Sequence, residues 1–483
     1  MSGFASAGEH RLLEELLDAT PQEVTLAAEL LAVPHVLDDG LAVDLVRQFG
    51  RINGTTVKAV AGVKVLPFVA PHGGHGWRLG SPARELLVAR LDRKPELLRS
   101  VHAELSQRFA EGLVGRRADE PLTREMEWRS LYHGVPVSPA QSVDALESFV
   151  ERAAAVSRRS DLRAAVDLTC AHEQWLQDHL AEIAYIQGRY AYAVSDFPLA
   201  EECFTRVWAE HPRPARRVIA GHLLGVIWAD RRREPWWTKA EALLVDVVDL
   251  ARSTNDELGE ALTLTTLGSL MTRIGGHDRL KQAERALRRS VQLRGGMVGD
   301  DDGLALSALG AVLLRQGSPE QLLEAERLFR RSLSLLPQEQ QSVARDRLAL
   351  VLARLGGPGR LREAETLLRE RADEVTRDLD RAVVLNTLAQ VLLKRGDPDA
   401  LKEANDLVIQ SIELGRASRN PRHVAIALLT ASKIAEQRGE LDLAVRRHEE
   451  LIRTNRSLGL SREVQAGEDY LHDLKRRRDS QAP

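Results

Sequence analysis

At 483 residues, with 43% hydrophobic and 28% charged residues, the chain has material for two or three domains, or for one domain plus a repeat array, and is excluded from the disordered class. A formal net charge of −3 leaves no global field to draw it to DNA or to acidic membranes, so any such contact needs a local patch. Two cysteines, Cys170 and Cys203, exclude a disulfide framework and a four-ligand zinc site.

Aromatic residues make up only 4% while Leu, Ala, Glu and Arg dominate, which favours helix over sheet. The opening MSGFASAGEHRLLEELL has no apolar core of the signal-peptide kind, and no run of about 18 apolar residues follows it. A reducing, cytoplasmic setting without membrane contact is the expectation.

The order of elements begins with an N-terminal helix over 1–19 and a small domain over 20–112. Thr20-Pro21-Gln22-Glu23 reads as a capping box with Pro in the first turn. It opens a helix through LAAELLAV; GLAVDLVRQFG and NGTTVKAVAGVKVL supply two more. PFVAPHGGHGWRLG then reads as two short strands around a Gly-rich tip, before the helix ARELLVARL. Three helices and a hairpin make a winged-helix layout. Its nucleic-acid candidates are Lys58 and Lys64 near the third helix and Arg78 in the wing. That is few beside the six or so phosphate contacts of a typical specific binder. A helical connector fills 113–180, with a helix break near Glu127, Leu131, Tyr132 and His133.

From 181 to 460 the chain repeats itself. Marker alanines recur at Ala200, Ala240, Ala283, Ala325, Ala364, Ala404 and Ala444, at spacings of 40, 43, 42, 39, 40 and 40. Fifteen residues upstream of five of them lies a small residue, Gly225, Gly268, Gly310, Ala349 or Ala389, and eight residues upstream of four lies a turn glycine, Gly275, Gly317, Gly356 or Gly396. Two helices per unit joined by a glycine turn account for this spacing. The small residues let paired helices approach, with the marker Ala expected at the crossing. A lone hairpin cannot bury its apolar stripe, so about seven stacked units share one core. A C-terminal helix and a basic tail are expected over 461–483.

The unit 181–212, with Gly188, Ala200, Phe204, Val207 and Pro212, resembles a tetratricopeptide repeat. The middle units carry about three extra residues, as in RGDPDALKEA and QGSPEQLLEA. The implied fold is mainly α: an N-terminal winged helix followed by a right-handed tetratricopeptide-like α-solenoid. A winged helix followed by helical repeats also resembles the C-terminal half of STAND signalling ATPases of the NB-ARC and MalT-like kind. No G-x-x-x-x-G-K-[ST] occurs, so that family's ATP-driven switch does not carry over.

Motifs for chemistry fail one by one. His172-Glu173 lacks the second His of H-E-x-x-H, because Leu176 stands there. His72 and His75 offer two ligands in a turn. Asp300-Asp301-Asp302-Gly303 lacks the spaced ligands of a calcium loop, and Asp302 reads as a helix N-cap. No catalytic residue, cofactor or metal is expected.

The remaining candidates are for partner binding. Arg273, Arg315, Arg354 and Lys394 recur five residues after the small residue. They form a basic stripe, expected along the concave surface, for a protein or an acidic peptide. The competing account has each cation complement a helix C-terminus and reach its last carbonyls. Beside the stripe lie Thr265, Ser307, Asp346, Asn386 and Gln390. Trp236 and Trp237 open a second helix as an aromatic anchor or as a plug between units. The expectation is a non-enzymatic scaffold or regulatory, sensing subunit. The STAND resemblance implies a bacterial signalling or defence system, with a separate catalytic effector as partner. The alternative is a winged-helix transcription regulator with a repeat sensor.

Overall fold

The computed structural model describes residues 7–51, 55–73, 76–117, 120–295 and 300–481. They divide into two compact units, Met1–Pro212 and Arg213–Pro483.

The first unit opens with α1 (Ala7–Asp18), α2 (Gln22–Leu31), α3 (Asp39–Phe49) and α4 (Thr56–Lys64). An antiparallel hairpin follows, β1 (Val69–His72) and β2 (Gly76–Leu79), with Val69 opposite Leu79. An isolated bridge ties Leu37 to Trp77, and Trp77 is buried with Leu37 in the core under these helices. Thr20 does not cap α2: its hydroxyl donates to the Leu16 carbonyl of α1, and Pro21 occupies the N-cap position. Proline has no side-chain acceptor to offer there. The unit continues through α5 (Ser81–Leu91), α6 (Pro95–Glu111), α7 (Pro121–Gly134), α8 (Pro139–Ala155) and α9 (Arg159–Ala171). It ends with the hairpin α10 (Leu180–Ala193) and α11 (Phe197–Glu210).

The second unit is a run of six helical hairpins. They are α12 (Pro214–Asp230) with α13 (Trp236–Ser253), α14 (Glu257–Ile274) with α15 (His277–Leu293), and α16 (Asp300–Gln316) with α17 (Pro319–Leu335). Next come α18 (Ser342–Leu355) with α19 (Pro358–Glu374), α20 (Asp378–Arg395) with α21 (Pro398–Ala417), and α22 (Pro421–Gln437) with α23 (Leu441–Ser457). A final helix, α24 (Ser461–Gln481), packs after them. Asp302 lies inside α16, which starts two residues earlier, so it is not an N-cap.

The glycine turns carry the conformation their position demands: Gly275, Gly317, Gly356 and Gly396 have φ of 82°, 80°, 72° and 74°. A side chain there would be strained. The small residues mark helix crossings, but the group received is not the marker Ala. A Cβ on Gly225, Gly268 or Gly310 would meet Leu244, Leu287 or Phe329 at 2.5, 2.5 and 2.9 Å. Each of these knobs stands four residues, about one turn, after its marker Ala. The marker alanines are fully buried beside them.

Polar bonds tie the two helices of three hairpins together and join hairpin to hairpin. Ser290, Ser332 and Ser411 on second helices donate to the carbonyls of Ala261, Gly303 and Ala382 on first helices, at 2.7–2.8 Å. Successive second helices are bound by forked ion pairs: Arg288 to Glu324 at 2.8 and 2.9 Å, and Arg330 to Glu363 at 2.7 and 2.8 Å. Arg369 to Glu403 continues the series at 2.8 Å. The recurring Glu-Ala pair therefore has two uses: its Ala is buried beside the knob, and the Glu before the Ala takes the arginine of the previous hairpin.

Candidate functional site

The four stripe cations sit in the last turn of the first helices α14, α16, α18 and α20, and all four are exposed. Each reaches back one hairpin. Arg273 donates to the Ala229 carbonyl at 3.0 Å, Arg315 to the Thr272 carbonyl, Arg354 to Leu314 at 2.7 Å and Lys394 to Ala353 at 2.6 Å. The acceptors lie in the final turn of the preceding first helix, where carbonyls lack intrahelical donors and the helix dipole is negative. The cations thus cap their neighbours. None of the four has a carboxylate partner among the described residues, in contrast to Arg288, Arg330 and Arg369 on the second helices.

The five polar residues beside the stripe are turned elsewhere. Thr265 shares a 2.8 Å hydrogen bond with Ser290 of its own hairpin. Ser307 is buried against Arg347 of the next hairpin, 3.4 Å away. Asp346 faces Arg371 at 3.5 Å, and burial raises its carboxyl against the pull of that arginine. Asn386 is buried with its Oδ1 unpartnered. Gln390 donates to Thr430 Oγ1 at 3.2 Å.

The tryptophan pair divides its duties. Trp237 packs on the core and donates to the Ala229 carbonyl at 3.3 Å, the same oxygen that receives Arg273. Trp236 is half-buried under the Arg231 guanidinium, 3.7 Å from its ring centre, with Lys239 Nζ at 4.8 Å.

A second stripe escaped the sequence reading. Six residues before Gly310, Ala349 and Ala389, Leu304, Val343 and Val383 stand 44–53% exposed on α16, α18 and α20, and Ile426, six before Ser432, stands 54% exposed on α22. On the first three helices, each apolar residue precedes a stripe cation by eleven residues. Eleven residues are three turns, so both groups lie on one helix face, about 16 Å apart along the axis. The same repeat register that gave the cations would have given these residues; one apolar position among many gave no cause to single them out.

Ile426 leads into a cavity of about 580 Å³ bounded by α22, α23 and α24. Its walls are mostly apolar, with His448 and Asn455 on the α23 side and Arg422 and Lys433 along α22.

In the first unit, Lys64 is held by the Asp39 carboxylate at 2.9 Å and lies near the Trp77 ring. Lys58 and Arg78 are exposed. His72 is exposed at the end of β1, and His75 lies outside the described residues. His172 joins a buried cluster with His35, His102 and His133. His102 and His133 share a 3.0 Å contact between Nδ1 atoms, and Tyr132 packs on His35 and His172. Burial, reinforced by Arg84, holds His35 and His102 down at about 3. Burial likewise takes His172 to about 4 and His133 well below the usual range. Cys203 is buried, and that burial pushes its thiol up to about 11. Among the described residues no group of three or more His, Cys, Asp or Glu is placed to hold a metal ion. No helix there is long and apolar enough to cross a membrane.

No protein-family model matches the chain, and no curated protein matches it in sequence. Solved structures do. A STAND protein with a tetratricopeptide repeat sensor from Pyrococcus horikoshii is 10% identical, with 97% of this chain and 68% of that one covered at a TM-score of 0.52. The quorum sensor NprR of B. thuringiensis is 15% identical over 68% of this chain and 97% of its own, with a TM-score of 0.46. A tetratricopeptide repeat protein from Parabacteroides merdae is 16% identical over 60% of this chain and 99% of its own, with a TM-score of 0.39. The first likeness and the glycine-turned hairpins together show the fold: the chain carries a tetratricopeptide-like α-solenoid.

Proposed function

We propose that this chain is a non-enzymatic scaffold or sensing subunit whose repeats hold an acidic, amphipathic segment of a partner protein. The reading rests on the paired stripes of α16, α18 and α20, where an exposed Leu or Val and an exposed cation share one helix face. An apolar row left in water is a recurrent mark of a contact surface. The cation row suits carboxylates, because a guanidinium bonded to one carbonyl keeps most of its five donors for other partners. The partner would carry the catalytic work, in a bacterial signalling or defence system, as the likeness to STAND proteins suggests. A DNA-binding role for the first unit lacks comparable support: of its three nominated cations, Lys64 is already neutralised by Asp39.

The test is affinity purification from the native cell, with and without nuclease, using wild type and a Val343→Ser/Val383→Ser variant. A stoichiometric protein that survives nuclease and is lost from the variant supports the reading. A protein retained by the variant, or nucleic acid alone, sinks it.

A further inference from the structure

The cavity at the last hairpin lies where the repeat breaks its own rule. In the other six hairpins an apolar knob follows the marker Ala by four residues: Phe204, Leu244, Leu287, Phe329, Leu368 and Val408. All six are buried or nearly so. In the seventh the knob is His448. It stands over Ser432, whose hydroxyl lies 3.3 Å from His448 Nδ1 and 3.2 Å from the Ala444 carbonyl. His448 is 2% exposed and packs on the Tyr470 ring at 5.0 Å; its Nε2 makes no well-formed hydrogen bond and has only the Gly467 backbone beside it. A buried orphan nitrogen costs stability that a leucine would not. Departures of this kind concentrate at functional positions.

The orphan belongs to a built site. His448 and Asn455, two turns apart on α23 and both buried, line the cavity. Ile426, Leu429, Leu451 and Tyr470 form apolar wall. Arg422 and Lys433 are exposed along α22 and pair with no carboxylate among the described residues, against the single acid Glu463 on α24. A volume of about 580 Å³ falls within the range of pockets that enclose a small organic ligand.

We infer that this cavity is a receptor site for a small amphipathic carboxylate. Its aliphatic or aromatic body fills the space between Ile426, Leu429 and Leu451. Its carboxylate meets Arg422 or Lys433, and a polar atom on the body reaches His448 Nε2 or the Asn455 amide. Ile426 is common to the apolar row and the cavity, but Leu304, Val343 and Val383, which would hold the protein partner, do not line it.

The experiment is calorimetric titration of the full chain with decanoate and with indole-3-acetate, using 1-decanol and decylamine as controls. We expect one site per chain for at least one carboxylate, with the alcohol about tenfold weaker and the amine silent. His448→Leu restores the knob of the other hairpins, so it should keep the melting temperature or raise it while weakening indole-3-acetate, whose ring N–H is the polar atom of its body, about tenfold. Leu429→Glu places a negative charge on an exposed wall residue and should abolish binding with the fold intact; it decides the case if His448→Leu does not fold. The proposal is overturned if neither carboxylate binds at about 1 mM, if alcohol and amine bind equally well, or if Leu429→Glu has no effect. Binding of an acidic, apolar peptide in place of both free carboxylates would overturn it too. Partner capture through Val343 and Val383 is read in a separate assay, so either result can fail alone.

Discussion

Arg354 Nη1 sits 2.7 Å from the carbonyl oxygen of Leu314, forty residues earlier in the chain. The bond converts a helix end that would face water into a joint between hairpins, and Arg273, Arg315 and Lys394 repeat it. A lysine serves at one of the four positions, so the joint needs a cationic donor rather than a guanidinium fork. Arg354→Lys should therefore retain most of the stability. Arg354→Met should cost about 1 kcal/mol, or roughly 2–4 °C in Tm. Equal melting of wild type, Lys and Met variants would show that the joint carries no stability and leave the row to partner binding alone.

The two faces of the solenoid handle charge differently. Arg330 is forked onto Glu363 and also touches Glu326 at 3.0 Å, so it is compensated twice. Its side chain is 46% exposed, and water and salt limit such pairs to about 0.2–1 kcal/mol each. Arg330→Glu should destabilise the chain modestly. Adding Glu363→Arg should recover part of the loss, giving a double-mutant coupling of about 0.5–1 kcal/mol at low salt. The coupling should shrink in about 0.5 M salt, because the Debye length falls to about 4 Å there and ions screen exposed charges at close range. A coupling independent of salt would mean that the arginine acts through packing of its stem.

The crossings are set by volume. Phe329 presses so close to Gly310 that a Cβ there would lie 2.9 Å from the ring. Gly310→Ala should cost about 1–3 kcal/mol through overpacking. Nature solves the same problem nearby with Ala349 followed nineteen residues later by Leu368. Gly310→Ala combined with Phe329→Leu copies that pair and should melt above Gly310→Ala alone. If the double variant melts lower than both singles, the crossing is not the volume constraint described.

Much of this was legible because the demands are local. A left-handed turn asks for Gly275, Gly317, Gly356 and Gly396, and a helix crossing asks for Gly225, Gly268 and Gly310, whatever the rest of the chain does. The cations were legible as a row, but not their acceptors, since the Leu314 carbonyl leaves no trace in the sequence near Arg354. Four of the five polar residues named beside the stripe have partners on other helices, Thr265 with Ser290, Ser307 with Arg347, Asp346 with Arg371 and Gln390 with Thr430, which their own positions in the sequence do not reveal. Asp346 shows the cause: where other hairpins place Ser290, Ser332 or Ser411, this one places Arg371, and the aspartate is its partner. His448 went unread for a related reason. Its meaning lies in the register of six other knobs, which the crossings fix only once they are seen.

Acid should find the first unit's weak point. His35, His102, His133 and His172 are kept neutral by burial, and the charged groups facing the cluster, Arg84 and Arg129, repel a further proton. In the unfolded chain each imidazole titrates near 6.5. Below that pH the unfolded state binds more protons than the folded one, so stability is full above about 6.5 and falls as pH drops towards the folded values near 3 to 4. The slope is about 1.4 kcal/mol per pH unit for each histidine, or about 2 kcal/mol each by pH 5. Thermal melts at pH 7.5 and 5.0 should show a lower first transition in acid, and His102→Leu/His133→Leu should flatten that difference. A first transition that stays level from pH 7.5 to 5.0 in the wild type would mean that the cluster admits protons without unfolding. Its imidazoles would then have to reach water or a counter-charge that the packing of Tyr132 and Trp128 around them does not provide.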